Sequence, residues 1–150
     1  MEGIRYRTAD SGDDDIVRKL MHNFYSNDQK ENSIPDKKIT DTLRHLRGCP
    51  SAGSILLIEK GVEGIGYSLL INFWSNEYGG NMLIIDELYI RPEYRNVGVG
   101  SKFLSYLKES GYNNAVALEL EVLPNNFKAL EWYKKLGFQT SDRTFMTMIL

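Results

Sequence analysis

The stretch Ile84 to Gly111, IIDELYIRPEYRNVGVGSKFLSYLKESG, decides how the rest of the chain is read. Ile84, Ile85, Leu88, Tyr89 and Ile90 are the β-branched, aromatic and aliphatic types that suit a mostly buried strand. Pro92 has no N–H to give a ladder and ends that strand. The connection from Glu93 to Val97 leads to Gly98 and Gly100. Beyond it Val99, Phe103, Leu104 and Leu107 recur at helical spacing, with Gly111 as the stop. A strand therefore enters a glycine-rich loop that opens a helix. The first turn of a helix has N–H groups without intrahelical acceptors, and the macrodipole adds partial positive charge there. Glycine removes the Cβ atoms that would hold a phosphate away, and Arg95 adds a full charge. The stretch reads as a cradle for a diphosphate.

Spacing discriminates between kinds of cradle. A P-loop requires GxxxxGK[ST], whereas Gly100 is followed by Ser101-Lys102. A dinucleotide fingerprint, GxGxxG, needs a glycine where Phe103 stands, although Glu119 lies at about the distance of a ribose-binding acid. The pattern that does match is [Q/R]xxGx[G/A], supplied by Arg95, Gly98 and Gly100.

Composition narrows the partners. Apolar residues at 42% and charged residues at 25% are those of an ordinary soluble globular chain. A net charge of −2 lacks the basic footprint that nucleic acid binding requires, so no nucleic acid partner is expected. No apolar run approaches the ~20 residues of a membrane helix, and no membrane partner is expected either. The opening MEGIRYRTADSGDDD lacks the apolar core of a signal peptide, and Cys49 is alone; both favour a cytoplasmic location. His22, His45 and Cys49 have no metal-ligand spacing, so no metal is expected.

Outward from the central stretch the periods alternate between strand and helix. Ile4 to Thr8 reads as a first strand, and the acidic run Asp10 to Asp15 as capping and dipole compensation for a helix carried by Ile16, Val17, Leu20, Met21 and Phe24. Asn27 to Ser33 reads as a loop. A second helix starts near Pro35-Asp36, is held by Ile39, Leu43 and Leu46, and stops before Gly48 and Pro50. Ile55 to Ile58 and Ile65 to Trp74 read as strands joined by a turn, with Gly66 marking a bulge or a close approach. A wider turn, Ser75 to Asn81, leads antiparallel into Met82 to Arg91. Ala115 to Val122 is a further strand, which makes the central helix a parallel crossover. Asn125 or Asn126 caps a last helix that Gly137 ends, and Phe138-Gln139 and Arg143 to Leu150 are short strand candidates. Without repeats or a linker, 150 residues predict one mixed α/β domain.

The last helix carries a second signature. In NNFKALEWYKKLGF the residues Asn126, Ala129, Tyr133, Gly137 and Phe138 fall at the offsets NxxAxxxYxxxGF. With the cradle before it, this resembles the GNAT superfamily of N-acetyltransferases, most strongly from about Ile84 to Phe138. The resemblance implies a GNAT fold over residues 1–150, a mixed central sheet of six or seven strands with about four helices. Its order would be strand, two helices, three strands, helix, strand, helix, two strands. It implies acetyl-CoA as co-substrate, its pyrophosphate held by Arg95, Asn96, Val97, Gly98, Val99, Gly100 and Ser101, mostly through backbone N–H. The pantetheine arm would lie in a gap between Leu88-Tyr89-Ile90 and Leu120-Glu121-Val122, and Asn126 would touch it while also serving as an N-cap.

The implied reaction is direct attack of a primary amine on the thioester within a ternary complex. A non-catalytic acyl-CoA-binding or regulatory domain is the alternative. Such an amine, of pKa ~10, must lose a proton first. Tyr133 matches the family's general acid; packing in the core is its structural alternative. For the base, Glu87 ranks first and Glu121 second, with Glu119 on the face of Glu121. Strict alternation points Asp86 away from Glu87. The oxyanion donor would be a backbone N–H near Tyr89 or Ile90. Trp74, Glu77 and Tyr78 suggest an aromatic and acidic site for a small-molecule amine or peptide amine acceptor. A homodimer is left open.

Overall fold

The computed structural model describes residues 3–27 and 33–150. The chain divides into two compact units, Met1–Leu120 and Glu121–Leu150. Most of the loop expected between the first two helices lies outside the described residues.

The first unit is a five-stranded sheet in sequence order, formed by β1 (Ile4–Thr8), β2 (Gly53–Lys60), β3 (Glu63–Ser75), β4 (Gly80–Ile90) and β5 (Ala115–Leu120). The first four strands are antiparallel neighbours, and β5 joins β4 in parallel. The helices are α1 (Asp14–Asn27), α2 (Asp36–Gly48) and α3 (Val99–Glu109), the last being the parallel crossover.

Alternation along the strands creates two cores. Ile55, Leu57, Tyr67, Leu69 and Tyr89 face α1 and α2 and pack with Val17, Leu20, Met21, Ile39, Leu43 and Leu46. On the other face α3 turns in Val99, Phe103, Leu104 and Leu107, and the Phe103 and Tyr106 rings meet Tyr6 of β1 at 5.5 and 4.7 Å. The acidic run caps as expected. Asp10 accepts from the Gly12 N–H while the Asp13 side chain accepts from the Asp10 N–H. Asp13 also holds Arg7 at 2.7 Å, and Arg7 reaches the buried Glu59 of β2 at 2.8 Å.

Gly66 marks a close approach. A Cβ built on it would stand 2.3 Å from the carbonyl oxygen of Tyr89, so only glycine lets β3 and β4 lie this close. The bulge falls on the residue before it, since Ile58 pairs with Gly66 and Glu59 with Gly64, leaving Ile65 as the extra one.

The second unit contains α4 (Phe127–Lys135). Asn126 is its N-cap, its Oδ1 accepting from the Ala129 N–H at 3.2 Å. At the other end Gly137 takes φ +97°, Phe138 N–H donates to the Tyr133 carbonyl and Gly137 N–H to that of Lys134. This is a Schellman cap, completed by ring contact between Tyr133 and Phe138 at 5.5 Å.

The sheet has five strands and not the six or seven expected. Neither Phe138-Gln139 nor Arg143 to Leu150 forms a ladder, and Phe145, Met146, Met148, Ile149 and Leu150 are exposed. Alternation as in RTFMTMIL identifies which residues would share a face, but a strand also needs a partner for its N–H and C=O groups. β5 is likewise shorter than read: it ends at Leu120, and Glu121 and Val122 lie in an irregular stretch.

Candidate functional site

The site is built on β4. Between Leu69 and Leu70 the β3–β4 register slips by one, so that Leu69 opposes Glu87 and Leu70 opposes Ile85, with Asp86 as the extra residue. Such a bulge kinks a strand and increases its twist. The β5 ladder stops at this point, its last rung being Ile85 with Leu120. From Asp86 to Ile90 the strand keeps β3 on one edge only.

The alternation of an antiparallel ladder says which backbone groups face the open edge. Arg91 N–H donates to Ile65 O of β3, one step beyond the last register pair, Ile90 with Gly66. Tyr89 and Glu87, two and four residues earlier, therefore also turn their N–H and C=O groups to β3, whereas Leu88 and Ile90 turn theirs to the open edge. Of the two residues named as oxyanion donors, only Ile90 has its N–H on that side. Its carbonyl oxygen, left without a strand partner, accepts from Nε of Arg95 at 2.6 Å. The Arg95 guanidinium lies 5.3 Å from the centre of the Tyr89 ring. The side chain expected at the mouth of the cradle is thus folded back along β4, with its charge kept beside the strand end.

The loop expected to be the cradle enters α3 through two left-handed residues. Asn96 at φ +62° and Gly98 at φ +84° turn the chain into α3. Asparagine tolerates the left-handed region and glycine occupies it without strain. Gly98 provides no side-chain cap, the first turn holds no acidic residue, and the first helical bond runs from Lys102 N–H to Gly98 O. The N–H groups of Val99 and Gly100 accordingly have no intrahelical acceptor. Gly100 itself is buried.

Glu87 is buried on the face that carries α1 and α2. Oε1 accepts from the Tyr25 hydroxyl and Oε2 from the Tyr67 hydroxyl, each at 2.6 Å. Burial pushes its carboxyl above the usual range and the two phenols pull it back, the net direction being upward. Asp86 is exposed. The bulge interrupts the ladder at Asp86, so strict alternation no longer fixes its direction relative to Glu87, and its charge acts on Tyr25 and Tyr67 as well as on Glu87. Sequence reasoning missed Tyr25 and Tyr67, which lie 62 and 20 residues from Glu87 and belong to no local pattern.

A cavity of about 200 Å³ opens between α1 and the end of β4, lined by Lys19, Leu20, Asn23, Tyr89, Arg91 and Glu93 among others. Trp74, Glu77 and Tyr78 are elsewhere. Trp74 pairs with Asn81 at the start of β4, six residues before Glu87, which at the strand rise is about 20 Å away. The structure does not gather them with the carboxylate. In the second unit Glu121 is exposed, and because it follows the end of β5 its side chain is not set by the alternation that orients Glu119. Tyr133 is half-buried on α4, its ring tilted against Trp132 and edge to face with Phe138, and burial pushes its phenol up to about 12.

Residues 16–138 match the model of the acetyltransferase (GNAT) family. The chain belongs to that family. Among curated proteins it is 36% identical over 76 residues to a thialysine N-epsilon-acetyltransferase of Bos taurus, a match covering 50% of this chain and 44% of that protein. The chain spans less than half of that relative. A possible acetyltransferase from Clostridium difficile 630 superimposes with a TM-score of 0.85 at 22% identity, over 99% of both chains. The aminoglycoside-modifying AAC(6')-Iy, solved with a CoA bisubstrate analogue, superimposes with a TM-score of 0.77 at 15% identity, again over 99% of both. These two likenesses show the GNAT fold. Among the described residues no helix is long and apolar enough to cross a membrane, and no three His, Cys, Asp or Glu side chains cluster as metal ligands.

Proposed function

We propose that this chain is an acetyl-CoA-dependent N-acetyltransferase that moves the acetyl group to a primary amine by direct attack, with both substrates bound together. The observation that carries this reading is the course of β4. It loses its β5 partner at the Asp86 bulge and runs on with one open edge into the uncapped, glycine-entered start of α3. An extended amide-bearing arm pairs with such an edge, and a diphosphate with such a helix start. The family match crosses the boundary at Leu120, so residues 1–150 are taken as one transferase domain.

Acetyl-CoA would supply an acyl group already activated as a thioester. Leu88, Tyr89 and Ile90 are assigned to the arm, Arg95 to Ser101 to the pyrophosphate and Asn126 to the arm's amides. Asn126 keeps its side-chain NH₂ for that purpose while Oδ1 caps α4. Ile90 N–H is assigned to the carbonyl oxygen on which negative charge builds, because it faces the open edge. Glu87 is assigned the amine proton, and Glu121 remains the second carboxylate. Asp86, exposed beside Glu87, adds the negative potential that draws a cationic amine. Tyr133 is assigned to the departing thiolate. A phenol near 12 is a weaker acid than a thiol near 8.5, so it acts mainly as a hydrogen-bond donor to sulfur.

The acceptor class is a small-molecule or peptide amine; similarity to a thialysine N-epsilon-acetyltransferase supports an amine on a short flexible chain. The test is a screen of acetyl-CoA with thialysine, lysine, polyamines, aminoglycosides and peptides, read as free thiol. Amine-dependent thiol release that Glu87→Gln abolishes is the expected result. CoA binding with no release on any amine would return the chain to the non-catalytic reading.

A further inference from the structure

Glu87 is held by three hydroxyl groups from two elements, α1 and β3. Tyr25 on the last turns of α1 and Tyr67 on β3 each give a hydroxyl to one carboxylate oxygen at 2.6 Å. The buried Ser68 hydroxyl donates to the Glu87 carbonyl at 2.9 Å. O–H···O distances of 2.5–2.7 Å are typical of hydrogen bonds to an ionised acceptor. Tyr67 is fully buried, and phenylalanine would fill its volume without a hydroxyl to satisfy, so packing alone does not account for the phenol. The remaining charged group acting on the carboxylate is Asp86, next to it on β4, and among the described residues no cation pairs with Glu87. A cation would hold the carboxylate so low that it could not take a proton from an amine. Two neutral donors orient it and leave that capacity in place.

We infer that Tyr25 and Tyr67 are positioning residues for Glu87, aiming its carboxylate and keeping it ready to accept the proton of the acceptor amine, with Tyr25 tying that readiness to the end of α1. The inference rests on the reading of Glu87 as the base. In the step, an ammonium N–H bond breaks and an O–H bond forms on Glu87. The amine keeps the electron pair that attacks, and the proton later passes from the carboxyl to water. Burial and the neighbouring carboxylates hold both phenols well above their ordinary range, so they stay protonated throughout.

The experiment uses the full chain with ¹³C-labelled glutamate, the Glu87 carboxyl resonance being assigned by its loss in Glu87→Gln. Tyr25→Phe and Tyr67→Phe each remove a donor to the ionised form, so Glu87 should titrate roughly one to two pH units higher. Asp86→Asn removes a repelling charge and should move it the other way. The acid limb of the kcat/KM profile should follow the resonance in each variant, whereas Tyr25→Trp, which fills space without restoring the phenol, should not rescue it. Tyr67→Phe is in the deepest core, so the half-buried Tyr25→Phe decides the matter if it alone folds. A Glu87 titration unchanged in Tyr25→Phe overturns the inference. A titration that moves while the kcat/KM limb stays fixed instead overturns Glu87 as the base, and the catalytic meaning of the two phenols falls with it.

Discussion

The N–H of Phe138 donates to the carbonyl of Tyr133 at 3.1 Å while their rings meet edge to face at 5.5 Å. Two positions of the second family signature are therefore joined by one chain reversal, with Gly137 in the left-handed conformation between them. Tyr133→Phe keeps the ring and the cap and removes only the hydroxyl. It should lower kcat by roughly 10² or somewhat less, the low end for a proton donor to a fair leaving group, and leave acetyl-CoA affinity and the melting temperature nearly unchanged. A Phe variant with wild-type kcat under chemistry-limited conditions would reduce Tyr133 to a cap residue.

The pH profile follows from two upward shifts with opposite meanings. As the proposed base, Glu87 must be ionised to accept a proton, and burial raises it, so kcat/KM should climb with pH through a limb above the ordinary glutamate range. As the proposed donor, Tyr133 must be protonated, and burial pushes it up to about 12, so it should set no falling limb below about pH 10. Whatever stability the buried phenol adds is present below its unfolded value near 10 and is lost only as pH rises through about 12. An acid limb that persists in Glu87→Gln would assign it to another group.

Arg7 holds two acids at once, Asp13 at the cap before α1 and the buried Glu59 of β2. Its hydrogen bond pulls Asp13 below the usual range. For Glu59, burial pushes upward, and the bonds from Arg7 and Arg5 outweigh it. Arg7→Ala strands a buried carboxylate with Arg5 as its remaining partner, and should cost about 3 kcal/mol of stability at neutral pH. Both acids are depressed, so this stability is present above the ordinary carboxyl range and is lost as pH falls through the lowered values. Denaturant melts at pH 7 and pH 3 check this: the gap between wild type and variant should narrow in acid.

Gly66→Ala tests the seat of the site. The new Cβ would meet the Tyr89 carbonyl oxygen at 2.3 Å, so β3 and β4 must separate next to the open edge. A loss of about 1–3 kcal/mol is expected, together with weaker CoA binding. Unchanged CoA affinity would mean that Tyr89 and Ile90 do not hold the arm.

Much of this was legible in local patterns. Apolar spacing placed β4, α3 and α4 within a few residues, and the two signatures fell on the loop and helix that carry them. The capping roles of Asp10, Asn126 and Gly137 followed from the same chemistry that operates in the fold. Three features were out of reach for physical reasons. A bulge at Asp86 inserts one residue with no mark in composition, and it removes the regular ladder on which the alternation argument for that side chain rested. The phenols on Glu87 come from elements 62 and 20 residues away. The alternating segment Arg143 to Leu150 has the pattern of a strand but no ladder, because periodicity does not specify a partner.

The central claim is that the β4–α3 cradle binds CoA, and thermal unfolding with ligands tests it most directly. CoA at 100 times its dissociation constant should stabilise the wild-type chain by about 2.7 kcal/mol, and NAD or ATP at the same concentration far less. Gly98→Val forces a β-branched residue into φ +84°, and Gly100→Val crowds a buried first-turn position; either variant should stay folded and lose the CoA shift. Protection by NAD without protection by CoA, or an undiminished CoA shift in both glycine variants, would contradict the account.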